Sequence, residues 1–119
     1  MILDIVPCPK PRMTQSDRWR SRPPVKRYFD FRKLLLIEAK KKGYKIQLPL
    51  SITFILPMSK SWSKKKKLEL DGQPHIIKPD LDNLIKAFKD ALLEEDSHVW
   101  CYGRMEKIWG KEGKIIIKE

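Results

Sequence analysis

The sequence predicts a single small α+β domain over residues 1–119, with a mixed β-sheet and two main helices. Residues 45–57 alternate apolar and polar side chains with a period of two, which is typical of a strand. Residues 80–93 instead place apolar side chains at helical spacing. A chain of 119 residues is long enough to bury one modest core. We therefore expect the order strand, helix, strand, helix, strand, strand.

The first half of the chain predicts a short strand, a basic loop and a helix. Residues 1–6 are apolar apart from Asp4 and run into Pro7, which ends the strand. Residues 10–24 are basic with little apolar periodicity, as expected of a loop. A helix follows over 25–42, with lysines at its C-terminal end before Gly43. Its expected apolar positions are Val25, Tyr28, Phe29, Leu35, Leu36 and Ala39.

The second half predicts a strand, an exposed loop, a helix and a closing hairpin. Pro49 implies that the strand over 45–57 is an edge strand or is broken near its start. Residues 58–78 are polar and predict a loop that orders on a ligand. The next helix begins with Asp80 as its N-cap, and residues 98–108 and 114–118 predict the hairpin. The apolar stripe of that helix is Leu81, Leu84, Ile85, Phe88 and Leu92.

The composition indicates a nucleic-acid partner and a cytoplasmic protein. Lys plus Arg number 26 against 15 Asp plus Glu, a net charge of +11, which favours nucleic acid over an anionic membrane surface. No apolar run approaches the ~20 residues of a spanning helix, and residues 1–4 do not resemble a signal peptide. Cys8 and Cys101 have neither metal-ligand spacing nor a disulfide framework around them.

The clearest functional signal is a cluster of acids inside this basic chain. Between residues 80 and 98 stand six acids, Asp80, Asp82, Asp90, Glu94, Glu95 and Asp96. Carboxylates beside a polyanion repel it unless a divalent cation lies between them, so the cluster predicts a metal-dependent site acting on phosphodiesters. Asp80 and Asp82 flank Leu81, and Asp96 returns after the helix. Mg²⁺ is the expected metal, with Mn²⁺ as an alternative, and Lys86 would face the scissile phosphate.

Structural explanations compete with this interpretation. Asp80 is also explained as a helix cap, and Asp82 with Lys86 as an i, i+4 ion pair worth ~0.3–0.5 kcal/mol. Asn83 either supports the helix start or orients a carboxylate. We expect Asp90 to pair with Lys86, and we assign no catalytic role to His75 or His98.

Basic residues outside the acidic cluster are the candidates for DNA contact. A solvated loop is the ordinary alternative for the lysine run, and backbone contacts alone cannot read sequence. Trp19 and Trp62 either stack on unpaired bases or pack against the fold. The candidate DNA-binding residues are Lys10, Arg12, Arg18, Arg20, Arg22, Lys64, Lys65, Lys66, Lys67 and Lys78.

Three sequence elements resemble those of the RusA-type Holliday-junction resolvases, which are small phage and bacterial endonucleases. They are the run Lys78-Pro79-Asp80-Leu81-Asp82-Asn83-Leu84-Ile85-Lys86, then Asp90-Ala91-Leu92, then Glu95-Asp96-Ser97-His98-Val99. The early segment 10–14 also resembles a basic segment of that family. The resemblance implies a homodimer that binds four-way DNA junctions in recombination and repair, and cuts two opposed strands with Mg²⁺ and no small-molecule cofactor.

The same resemblance implies roles for individual residues. Asp80, Asp82 and Asp96 would be the metal-binding and catalytic carboxylates, and Lys86 a required lysine. The first acid of the later pair is Glu95 rather than Asp, so Glu95 and Asp96 remain alternatives for the third ligand.

A dimer also has a physical rationale, because a two-fold protein can present one acidic site to each of two equivalent cleavage positions. Two other functions stay open on the sequence alone. One is a non-catalytic nucleic-acid-binding accessory protein of a phage, and the other is a nuclease that prefers flaps or forks.

Overall fold

A computed structural model describes residues 1–12 and 22–118, with Asp96 described in its backbone alone. Its elements are β1 (Ile2–Leu3), α1 (Pro23–Lys41), β2 (Leu50–Pro57), α2 (Lys64–Leu70), α3 (Leu81–Leu92), a 3-10 turn (Asp96–His98), β3 (Tyr102–Gly110) and β4 (Lys114–Lys118). The α+β class and the mixed sheet are confirmed. The described residues form three helices, one more than the two main helices expected, and residues 13–21 lie outside the description.

The four strands form one sheet in the order β1-β4-β2-β3. β2 is parallel to β3 and antiparallel to β4, and β1 is antiparallel to β4. The predicted closing hairpin is therefore wrong, because β3 and β4 lie on opposite sides of β2. Gly110, the last residue of β3, lies so close to β2 that a Cβ there would stand 2.3 Å from Ile55 Cγ2.

β2 is one of the two inner strands of the sheet, between β4 and β3, and it carries a long inward row of apolar side chains. Leu50, Ile52, Phe54 and Leu56 are all buried. A strand with such a row leaves the least apolar surface exposed to water when it has neighbours on both edges. The strand begins at Leu50 rather than Lys45, so Pro49 marks the break near its start and not an edge position.

Helices α1 and α3 share one core cluster with the inward face of the sheet. The buried positions of α1 are Val25, Tyr28, Phe31, Leu35 and Ala39. Phe29 and Leu36, which we expected on the apolar face of this helix, do not face the core, since they are 45% and 44% exposed. Each lies one residue from a buried position, which on a helix is a rotation of about 100° away from the core.

Helix α3 follows the expected stripe closely. Leu84 and Phe88 are fully buried, and Leu81, Ile85 and Leu92 pack partly buried against the same cluster. Ala87 and Ala91 complete the buried face. With the apolar side turned to the sheet, the polar residues at the start of α3 face outward.

The region 58–78 contains a helix and is not the loop that the sequence predicts. α2 begins after Ser63, whose Oγ accepts a hydrogen bond of 3.2 Å from the Lys66 amide. This capping bond satisfies one of the first amides of the helix, which otherwise have no partner. None of the helices in the described ranges combines the length and apolar character required to cross a membrane.

Candidate acidic site at the start of helix α3

Asp80 occupies the N-cap position of α3, as the sequence predicts. Its backbone is extended, with φ −70° and ψ 145°, and its carbonyl oxygen accepts from the Leu84 amide at 3.2 Å. Its carboxylate makes no capping hydrogen bond. The predicted N-cap position is therefore confirmed, but the side chain of Asp80 takes no part in capping and is exposed at the start of the helix.

Asp82 lies in the first turn of α3 and is exposed. A carboxylate here interacts favourably with the positive end of the helix dipole. Asp80 lines a surface depression with Lys10, Lys78 and Asn83. Asp82 lines a second depression with Lys86, Lys89 and Tyr102, and Asn83 borders this one too. The two acids thus occupy neighbouring depressions that share one asparagine.

Asp90 forms ion pairs with two lysines near these acids. Lys86 Nζ lies 3.8 Å from Asp90 Oδ2, which confirms the expected pairing, and Lys10 Nζ donates to the same oxygen. The Lys10 amide also donates to the Asn83 carbonyl at 3.3 Å. These contacts hold the N-terminal segment along α3 and place two cations beside the acidic site.

The later acids follow α3 on the 3-10 turn. Glu95 is exposed, and its Oε1 accepts from Ser97 Oγ at 3.0 Å. The side chain of Asp96 falls outside the described structure, so its role as the third ligand stays a prediction. Among the side chains that the structure does describe, no three of His, Cys, Asp or Glu are grouped to hold a metal ion.

The chemistry of the described donor set nevertheless fits a hard divalent cation. The two depressions present the carboxylates of Asp80 and Asp82 and the amide of Asn83, with neither His nor Cys among their described lining residues. Oxygen donors of this kind suit Mg²⁺ or Mn²⁺, which can be held by one or two carboxylates together with water and substrate phosphate.

The structure also brings in a residue that the sequence interpretation missed. Lys107 of β3 reaches the segment that precedes α3, donating to the Ile77 carbonyl at 2.5 Å and to the Pro79 carbonyl at 2.7 Å. Its Nζ lies 3.1 Å from His75 Nδ1. A signal existed in the sequence, because Met105, Lys107 and Trp109 are alternate residues and so lie on one face of a strand. A lysine between two apolar residues on such a face needs polar partners.

The candidate basic residues fall into three described groups, and two further candidates lie outside the described residues. Arg12 and Arg22 meet where the segment 13–21 begins and ends, and Arg22 Nη2 donates to the Arg12 carbonyl at 2.7 Å. The lysine run forms the N-terminal part of α2. Lys78 is exposed beside Asp80. Arg18 and Arg20 lie outside the described residues.

Of the two tryptophans proposed as candidates for base stacking, Trp62 packs against the fold. Its ring stands 4.9 Å from that of Trp109, edge to face, and Lys66 Nζ lies 4.1 Å from its centroid. Such a pair, with a cation over the ring, accounts for its position without a nucleobase. Trp19 lies outside the described residues.

Comparison with protein-family models places the chain. The model described as Endodeoxyribonuclease RusA matches residues 4–118, which is nearly the whole chain. Neither the curated proteins nor the solved structures give a significant match. The matched range begins just after β1 and includes the three described helices, the strands β2, β3 and β4 and the acidic start of α3. This chain therefore belongs to the RusA family of endodeoxyribonucleases.

Proposed function

We propose that this protein is a divalent-metal-dependent endonuclease that resolves four-way DNA junctions by cutting two opposed strands. The observation that carries the proposal is the exposed Asp80 carboxylate at the start of α3, which makes no capping hydrogen bond in a chain of the RusA family. A carboxylate used only to begin a helix would bond to the amides of the first turn.

Asp80, Asp82 and Asp96 would hold the metal, with Glu95 as the alternative to Asp96. When bound, Mg²⁺ would polarise a phosphodiester and make a water more acidic. Lys86 borders the second depression and would supply a positive charge to the phosphate. Asp90, held by Lys10 and Lys86, would keep those cations oriented before DNA binds.

The remaining basic surface would bind the DNA backbone. The net charge of +11 attracts a polyanion over the whole molecule. We assign phosphate contact to the arginines around the segment 13–21 and to the first turn of α2, together with Lys10 and Lys78. Recombination and repair of chromosomal or phage DNA would place this activity in the cytoplasm.

The proposed functional unit is a homodimer with no small-molecule cofactor. A four-way junction has two equivalent strands to cut, and a two-fold dimer offers two acidic sites related by the same symmetry. One protomer alone would leave a nicked, unresolved junction.

The direct test replaces Asp80 with Asn, and its matched control replaces Asp30, an exposed acid on α1. Asp80→Asn should abolish cleavage of a four-way junction in Mg²⁺ while binding it in EDTA at least as tightly as the wild type. The reason is that one negative charge facing the phosphates has been removed. Asp30→Asn should cut normally. Unimpaired cleavage by Asp80→Asn would remove that carboxylate from the proposed site.

The same assay separates the alternative functions. Labelled four-way, flap and linear DNA are incubated with the wild-type protein in Mg²⁺ or in EDTA. We expect metal-dependent paired cuts in the four-way junction. Binding with no metal-dependent nicks would indicate an accessory protein, and preferential cutting of flaps would indicate a different nuclease.

A further inference from the structure

We propose that Lys107 is a positioning residue for the acidic site, holding residues 75–79 so that Asp80 is presented correctly at the start of α3. The inference rests on the proposed metal-dependent function of that site. Lys107 itself would touch neither metal nor DNA.

The ammonium group of Lys107 has its full set of hydrogen bonds. It donates to the carbonyls of Ile77 and Pro79, and its third partner is His75 Nδ1. An ammonium has three donors and no acceptor, so His75 Nδ1 accepts and the ring proton lies on Nε2. One side chain thus ties down three residues of a single five-residue segment.

The position of Lys107 in the sheet explains why it reaches this segment. It pairs with Phe54 in the register of β2 and β3, and therefore lies on the face of the sheet that packs against α1 and α3. A lysine on this face needs acceptors, and the carbonyl oxygens before α3 supply them. The hydrogen bonds thus link the edge strand β3, which is paired with β2, to the residue directly before Asp80.

The backbone strengthens the same link. The His75 amide donates to the Lys107 carbonyl at 3.1 Å, so His75 and Lys107 are joined through both backbone and side chain. Gly72 and Gln73 also bond to Trp109 on the outer edge of β3. His75 is 4% exposed, and its ring lies 4.2 Å from that of Trp109. The segment is anchored at its start by β3 and at its end by the ammonium.

Removal of the ammonium should loosen only the last part of this segment. In Lys107→Met the carbonyls of Ile77 and Pro79 lose their ammonium donor. The backbone that carries Asp80 is then less restrained, and so is the position of the Asp80 carboxylate. Replacement of residues that orient metal ligands typically weakens metal binding by about 10- to 100-fold. The matched control is Lys114→Met, which removes a lysine of β4 whose partner is Asp4, away from the acidic site.

The first measurement is Mn²⁺ binding without DNA, followed by electron paramagnetic resonance. We expect Lys107→Met to weaken Mn²⁺ binding by about tenfold or more, and Lys114→Met to leave it unchanged. Junction affinity in EDTA should change equally little in both variants. In Lys107→Met the Mg²⁺ concentration for half-maximal cleavage should rise. Wild-type Mn²⁺ affinity in a folded Lys107→Met, or a selective drop in junction affinity in EDTA, would overturn the inference.

A second variant covers the case in which Lys107→Met fails to fold. Lys107→Arg keeps the charge, but a planar guanidinium cannot direct three donors to the same converging acceptors. It should therefore show weakened Mn²⁺ binding, and normal binding would overturn the inference.

The wild type distinguishes this inference from the function on which it rests. If the wild-type protein bound no Mn²⁺ and cut no junction, the proposed function would fail and the positioning role with it. If the wild type and Lys107→Met both bound Mn²⁺ and cut equally, only the positioning role would fail.

Discussion

Single carboxylates in this basic chain have different partners, and those partners decide what each acid can do. Asp90 is occupied by Lys10 and Lys86, and Asp4 by Lys114. Glu106 accepts hydrogen bonds from Thr53 Oγ1 at 2.8 Å and Arg104 Nε at 2.9 Å. Asp80, by contrast, makes no capping bond at the start of its helix. An acid that already has a cationic or hydrogen-bonding partner is less available to a metal ion, so the exposed Asp80 carboxylate is the better candidate ligand.

The pKa of Glu106 gives a prediction at this scale. The hydrogen bond from Thr53, followed by that from Arg104, lowers the pKa of Glu106 from its ordinary value of 4.5. A lowered folded-state pKa stabilises the protein above the unfolded value, and this contribution disappears as the pH falls through the folded value. Wild type should therefore melt at a higher temperature than Glu106→Gln at pH 7.

The gap between the two melting temperatures should close as the pH falls below about 4.5. Thermal melts followed by circular dichroism at stepped pH would measure it. Glu69→Gln on α2 is the control, because it removes one exposed carboxylate from a helix surface and so measures the general effect of the lost charge. A constant gap for Glu106→Gln down to a pH of about 3 would contradict the role assigned to its charge.

At the scale of elements, α2 combines an ordinary helix start with an unfavourable charge pattern. Ser63 caps the helix, but lysines 64–66 stand close together at its N-terminal end, where the helix dipole disfavours cations, and Lys67 already belongs to the last turn of this seven-residue helix. Lys66 is partly compensated by its position over the Trp62 ring. A bound polyanion would relieve the repulsion among the other lysines of this run, which is consistent with the DNA contact proposed for α2.

The corresponding prediction concerns the salt dependence of junction binding. Lys64→Ala with Lys65→Ala should weaken binding and reduce the slope of log affinity against log salt by about one for each phosphate that the variant no longer neutralises. Lys33→Ala with Lys40→Ala on α1 removes the same charge from an exposed helix surface. An identical change in slope for both pairs would mean that α2 contributes general charge and no specific phosphate binding.

At the scale of the whole molecule, the sheet order brings distant segments to the acidic site. β3 lies beside β2 at one edge, so Lys107 stands next to the segment that leads into α3. The packing of α3 on the shared core turns the acidic start of that helix outward. The site thus depends on the tertiary arrangement of β3 and α3, not on α3 alone.

The proposed dimer gives the prediction at this scale. Wild-type and Asp80→Asn protomers, differently tagged, are mixed and the heterodimer is purified. It should nick one strand of a four-way junction and leave the junction unresolved, because only one of its two sites is complete. Analytical ultracentrifugation should show a two-chain species. Paired cutting by a verified heterodimer, or a monomer that resolves junctions, would exclude the proposal that each protomer cuts one strand.

Much of the fold could be predicted because it depends on short-range patterns. The inward row of β2 and the apolar stripe of α3 follow from periods of two and 3.6 residues. The interpretation of 58–78 as a loop is wrong. Because α2 has no buried residue, its sequence contains no apolar stripe from which a helix could be predicted. Its signal is local and polar, the serine cap at Ser63.

The sequence by itself determined the run of acids, the place of Asp80 and Asp82 at the start of a helix and the basic net charge of the chain, because these depend on residues close together in the chain or on composition. Tertiary structure alone decided the order of the strands and the partners of Lys107. A period of two shows which face of a strand is buried, but not which strand lies beside it. The ammonium of Lys107 finds its acceptors far earlier in the chain, at Ile77 and Pro79, only because the sheet brings β3 there.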